Sequence, residues 1–162
     1  MDDVVIIGIG EYVVVNDSTK ISTVGLGSCI GTVIYETTNK ISALSHIMLP
    51  TMGDKQDRIG KYADTALPAM IHDMEKKGAL HGRMKAKIAG GASLFAFTDD
   101  HLKIGERNTE AVRKILSEQK IPLVATDVGG DRGRTIIFNP ETWELYIKMV
   151  KKGISDPSEK II

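Results

Sequence analysis

The chain has 162 residues and a single cysteine, and its 21 Lys plus Arg balance its 21 Asp plus Glu to a formal net charge of zero. That length suits one domain with a substantial core, and the balance leaves neither a basic stripe for nucleic acid nor an acidic solvating tract. One cysteine excludes an intramolecular disulfide and favours a reducing compartment; the acidic start Met1-Asp2-Asp3 and the short apolar stretch 4–9 point to a cytoplasmic chain without signal peptide or membrane insertion.

In chain order, residues 4–9, 11–15, 20–24, 29–36 and 41–49 are rich in Val, Ile and Thr and punctuated by Gly, Asn, Asp and Ser, so they read as strands. The polar connector Glu36-Thr37-Thr38-Asn39-Lys40 makes the last two an antiparallel hairpin. A polar loop follows at 51–60. Within 61–77, Tyr62, Ala63, Ala66, Leu67, Met70, Ile71 and Met74 form one apolar helical face that Gly78 ends. Pro68 predicts a kink there or an interruption near Leu67.

Residues 84–89 read as a strand running into Gly90-Gly91-Ala92-Ser93, and a second amphipathic helix covers about 105–119, with Asn108, Ala111, Val112, Ile115 and Leu116 aligned. Strands at 123–127, 134–138 and 143–149 complete the pattern, the last two joined by Asn139-Pro140-Glu141-Thr142. The expectation is an α+β domain over 1–150, a mainly antiparallel strand layer covered by two helices. The charged tail 151–162 is expected to be mobile, with a frayed end.

Chemistry concentrates at Thr23-Val24-Gly25-Leu26-Gly27-Ser28-Cys29 and at Ser45-His46-Ile47-Met48-Leu49-Pro50. Antiparallel pairing brings Cys29 at the start of one strand to the same end as His46 near the close of the next. That is the minimal geometry for a thiol nucleophile and its base. A cysteine can equally be a small buried hydrophobe, and a strand histidine can be satisfied by a backbone carbonyl. Gly25 and Gly27 allow a sharp turn, from which backbone N–H groups near Gly27, Ser28 and Cys29 can face a developing oxyanion. An imidazole of this kind needs an orienting group. No carboxylate is evident near the hairpin, and Thr23 is the nearest polar candidate, although an ordinary strand threonine is as good a reading from composition.

His72, His81 and His101 are weaker candidates, and none has partners at metal-ligand spacing. Gly8-Ile9-Gly10 lacks a dinucleotide fingerprint's third glycine, and Gly25-Leu26-Gly27-Ser28 lacks a P-loop lysine. Gly129-Gly130-Asp131-Arg132-Gly133 reads as a turn shaping the site, and Arg132 and Arg134 are candidate contacts for an acidic partner or simply solvated arginines.

Those two segments, with Gly8-Ile9-Gly10-Glu11-Tyr12, Gly60-Lys61-Tyr62-Ala63-Asp64, Lys87-Ile88-Ala89-Gly90-Gly91-Ala92-Ser93, Ile104-Gly105-Glu106-Arg107-Asn108 and Asp127-Val128-Gly129-Gly130, resemble the chemoreceptor glutamine deamidases of the CheD family over nearly the whole chain. The resemblance implies a triad of Cys29 as nucleophile, His46 as general base and acid, and Thr23 as the group orienting His46. It implies a fold shared with glutamine-deamidating toxins. It also implies conversion of receptor glutamines to glutamate without a cofactor, and two partners: methyl-accepting chemotaxis receptor helices and the phosphatase CheC. Trp143 departs from the family pattern, where a small turn residue is expected, and reads as a surface change remote from the triad. Rival readings are a receptor methylesterase, a transglutaminase, and a non-catalytic module that binds CheC.

Overall fold

The computed structural model describes residues 3–93, 103–150 and 158–162, and its strands divide between two sheets rather than forming one layer. The elements are β1 (Val4–Ile7), β2 (Tyr12–Val15), β3 (Lys20–Leu26), β4 (Ile30–Glu36), β5 (Ile41–Ile47), α1 (Ala63–Lys76), β6 (Lys85–Gly90), α2 (Ile104–Glu118), β7 (Leu123–Val128), β8 (Arg134–Asn139), β9 (Glu144–Met149) and β10 (Glu159–Ile161). One sheet runs β1-β3-β8-β9-β10 and the other β2-β5-β4-β6-β7. Pairing is antiparallel except at β1–β3 and β6–β7, and α2 makes the crossover that the parallel β6–β7 pair requires. The α+β expectation holds.

Two apolar clusters show how the layers stack. Ile30, Ile34, Ala43, Ile47, Ala86 and Ile88 meet α1 and α2, while Val33, Tyr35, Leu44 and Ala89 meet Ile21, Leu26, Ile136, Phe138 and Ile147 of the opposing sheet. The second sheet is therefore sandwiched between helices and the first sheet. Every residue of β4 and β5 is buried. A strand covered on both faces loses the in-out alternation, which is why these two read as continuous apolar runs.

The buried face of α1 is Ala63, Ala66, Leu67, Met70, Ile71 and Met74, as the helical spacing predicts. The interruption expected near Leu67 does not occur, because α1 runs through Pro68 unbroken. Proline there removes one backbone donor, and the burial of the flanking face outweighs that loss. No helix among the described residues is long and apolar enough to cross a membrane.

The tail expectation needs correction at its end; residues 151–157 lie outside the described set. Glu159–Ile161 pairs with β9, and Ile162 exchanges 2.9 Å backbone bonds with Leu145. Lys160 Nζ lies 3.0 Å from Asp127 Oδ1, and the buried Lys87 Nζ donates to the carbonyls of Ile162 (2.8 Å) and Trp143 (2.7 Å). Charged residues hid this strand because their partners lie far away in sequence. Trp143 is corrected too: its ring stacks on Tyr35 at 5.7 Å and packs against the core between the sheets. Its φ of 60° is the reason a small residue is the natural expectation at that turn.

Candidate functional site

β3 delivers Thr23 from one sheet, and β5 delivers His46 from the other. The register sets His46 opposite Gly31, and a Cβ on Gly31 would stand 2.5 Å from Ile136 Cδ1 of the facing sheet, so both residues look into the space between the sheets. There Thr23 Oγ1 lies 2.7 Å from His46 Nδ1 and 2.8 Å from the Ile7 carbonyl oxygen, and both residues are fully buried. A carbonyl can only accept, so the threonine proton goes to Ile7 and Oγ1 receives the Nδ1 proton. This fixes the tautomer in which Nε2 carries a bare lone pair.

That lone pair is buried and has no hydrogen-bond partner among the described residues. Leaving a buried acceptor unpaired costs about 1–3 kcal/mol, and such a group calls for an explanation. The buried hydroxyl oxygens of Thr32, Ser42 and Ser45 also lack partners. What distinguishes Nε2 is that the other ring nitrogen is tethered by Thr23.

Cys29 is a free, partly buried thiol immediately before β4, packed against the cluster between the sheets. It lies one residue beyond the last β4–β5 register pair, Ile30 with Ile47. Continued register would set it opposite Met48, diagonal to His46 rather than directly across. Diagonal neighbours on one face have Cα atoms about 7–8 Å apart, within reach of longer side chains. Burial pushes the Cys29 thiol up from its usual 9.0 and pushes His46 down to about 4. Near neutral pH the resting pair is thus an uncharged thiol and an uncharged imidazole.

The turn before Cys29 is held from one side. Ala92 N–H donates to the Gly27 carbonyl at 2.8 Å, and Gly91 N–H donates to that of Cys29 at 2.9 Å. Asn108 Nδ2 donates to the Ser28 carbonyl and to that of Met48, each at 2.9 Å. Gly90 has a φ of +117°, and a Cβ there would overlap the Cys29 carbonyl oxygen. The glycine pair therefore allows the close approach that the clamp requires. Gly27 N–H is committed to Gly25 O at 3.1 Å, so it is not an available oxyanion donor. Ser28 and Cys29 N–H make no backbone bond among the described residues.

Of the other candidates, His81 Nε2 is 2.7 Å from the carbonyl oxygen of Gln119, at the C-terminal end of α2, and His101 lies outside the described residues. Arg134 is not a solvated loop arginine: it is buried and pairs with Asp127 at 3.0 Å. Among the described residues, no three His, Cys, Asp or Glu side chains are placed to hold a metal ion. Asn108 is the residue that sequence reasoning missed. Its alignment with the apolar face of α2 was the available signal, since a polar residue at a core position needs a reason.

A thiol, a tethered imidazole with one free nitrogen and two backbone amides without a backbone partner among the described residues make a set of groups suited to acyl transfer on a carbonyl substrate. The family described as CheD chemotactic sensory transduction matches residues 48–149. A chemoreceptor glutamine deamidase CheD from Halalkalibacterium halodurans is 48% identical over 158 residues, covering 94% of this chain and 98% of that one. The chemoreceptor glutamine deamidase CheD of Thermotoga maritima is 45% identical over 148 residues, covering 91% and 93%. The chain belongs to the CheD family. Among solved structures, hypothetical protein YfiH of Bacillus licheniformis aligns with 74% of this chain at 13% identity and a TM-score of 0.48, and this chain spans 49% of its length. A Neisseria meningitidis protein aligns with 80% at 12% identity and a TM-score of 0.48, with 63% of its length spanned.

Proposed function

We propose that this chain is a cysteine-dependent deamidase that converts glutamine side chains of methyl-accepting chemotaxis receptors to glutamate. The observation that carries the reading is the 2.7 Å tether between Thr23 and His46 Nδ1, which leaves a buried, unpartnered Nε2 on the strand paired with the one that Cys29 precedes. Family membership and the names of the relatives supply the substrate class.

As Cys29 Sγ attacks the glutamine amide carbon, Nε2 takes the thiol proton and the Nδ1–H bond to Thr23 holds the imidazolium in place. The oxyanion meets the N–H groups of Ser28 and Cys29. On collapse the C–N bond breaks, Nε2–H protonates the nitrogen, and ammonia leaves a thioester. The freed Nε2 then takes a proton from water as the hydroxide oxygen attacks the thioester carbon. Collapse expels the thiolate, which recovers its proton from the imidazolium, and the product is glutamate. The scheme calls for no metal or organic cofactor.

The test is intact-mass analysis of a purified receptor cytoplasmic domain after incubation with the protein. Exchange of NH₂ for OH adds about one dalton per site in the scheme above. Cys29→Ala, a small residue for a small one, is expected to stay folded and show no mass gain. Mass gain at the wild-type rate with folded Cys29→Ala sinks the nucleophile assignment, and release of methanol from a methylated receptor without any gain on glutamine favours an esterase.

Exposed apolar side chains lie close to the site along the chain. Val24 follows Thr23, Met48 lies two residues past His46, and Ile9 precedes Gly10, whose N–H donates to the His46 carbonyl at 2.9 Å. Arg58 Nη2 donates to the Ile9 carbonyl at 3.1 Å, and Ile59 follows it, so the loop ahead of α1 joins this rim. A rim of this composition suits the apolar face of an amphipathic receptor helix. We assign the same rim to CheC, which would then compete with receptor for it.

A further inference from the structure

We infer that Asn108 is a positioning residue that aims the backbone N–H groups of Ser28 and Cys29 at the oxyanion; the inference rests on the deamidase reading above. The β4–β5 ladder stops at Ile30 and Ile47. Beyond it the Ser28 and Met48 carbonyls have no rung, and the two hydrogens of one amide nitrogen supply it, each at 2.9 Å. Asn108 is fully buried, and its Oδ1 has no partner among the described residues. These two carbonyls are its only hydrogen-bond partners among the described residues. It bridges the residue before the cysteine to the residue two past the histidine.

The helix is built to bring it there. Gly105 lies one turn earlier, on the same face, and a Cβ there would stand 2.5 Å from the Gly91 carbonyl oxygen and 2.7 Å from that of Ala92. A glycine lets α2 seat against the loop that clamps the cysteine turn. The described residues contain no cis peptide bonds. In a trans peptide the C=O and the following N–H point in opposite directions. With the Ser28 carbonyl drawn toward Asn108, Cys29 N–H points away from the helix. By the same geometry the Ala92 bond to the Gly27 carbonyl turns Ser28 N–H away from Ala92. Asn108 touches no reacting atom and acts through the backbone that does.

The test separates oxyanion alignment from general damage by comparing two reactions of one thiol. Deamidation passes through an oxyanion; alkylation of Cys29 by iodoacetamide is a displacement at saturated carbon and does not. Asn108→Ala and Asn108→Asp are expected to lower kcat on the receptor domain about 100-fold while KM changes less than about threefold. Cys29 alkylation is expected to stay within about threefold of wild type, with the same pH profile. Should Asn108→Ala melt below the assay temperature, Asn108→Ser, which keeps a hydroxyl donor, carries the test with a smaller kcat loss. Wild-type kcat in a folded variant overturns the inference, and so does an equal loss of alkylation and deamidation. Deamidation surviving in Cys29→Ala overturns the deamidase reading instead, so the two failures are distinguishable.

Discussion

Burial displaces both members of the thiol–imidazole pair toward their neutral forms, with His46 pushed down to about 4 and the Cys29 thiol raised. A preformed thiolate–imidazolium pair would need the opposite shifts. In the proposed mechanism the imidazole therefore acts as a general base during attack, and its working range is set by its own protonation. The acid limb of kcat/KM is expected near pH 4 to 5 rather than near the usual 6.5, and iodoacetamide reactivity is expected to climb through neutral pH with no acidic plateau. A thiolate plateau below pH 6 would overturn the neutral-pair assignment. The sign for stability follows from the same shift: below pH 6.5 the unfolded chain takes up a proton that folded His46 refuses, so stability falls as pH falls from 6.5 toward 4. Urea midpoints measured alongside the rates separate unfolding from protonation of the base. Thr23 illustrates what one residue's surroundings conceal. In the sequence it is a β-branched strand residue like many others, and its role emerges only where β3 of one sheet meets β5 of the other.

At the scale of elements, local pattern was most informative where contacts are local. The β4–β5 hairpin and the buried stripe of α1 follow from alternation, turn residues and helical spacing, and both stand where those signals put them. The partition of the strands into two sheets, the β10 edge strand and the Asn108 clamp all depend on partners distant in sequence, which no window of neighbouring residues encodes. Glycines lie at the border, since their spacing is visible while the atom that excludes a side chain is not. Gly105 and Gly82 make that contrast measurable. Gly105→Ala sets a methyl against two backbone carbonyls, and α2 must lift from the cysteine clamp. The expected result is a loss of about 1–3 kcal/mol in urea unfolding together with a lower kcat. Gly82→Ala meets nothing within 4 Å and is expected to leave both unchanged or to stabilise slightly. Equal behaviour of the two variants would remove the packing explanation.

For the whole molecule, the layering decides where a large substrate is met. α1 and α2 cover one face of the β2-β5-β4-β6-β7 sheet and the other sheet covers its second face, so the proposed mechanism requires a substrate to reach Thr23, Cys29 and His46 from the end of the sandwich. Exposed apolar side chains neighbour these residues along the chain or through backbone bonds: Val24 (55% exposed), Ile9 (50%), Ile59 (47%) and Met48 (39%). Scattered exposed apolar residues are ordinary on any protein, and substitution tests whether these four act together as an interaction surface. None of these four side chains bonds to Cys29, His46 or Thr23, so their replacement should affect docking and leave chemistry alone. Val24→Asp and Ile59→Asp are expected to raise KM for the receptor domain about tenfold, equivalent to about 1.4 kcal/mol of lost transfer to an apolar helix face, with kcat within about twofold. If CheC shares the rim, the same substitutions weaken its inhibition in parallel, and excess receptor relieves the inhibition of wild type. Inhibition that receptor cannot relieve, or a substitution that raises receptor KM while leaving CheC inhibition intact, would place the phosphatase on a different face and make the rim a receptor surface alone.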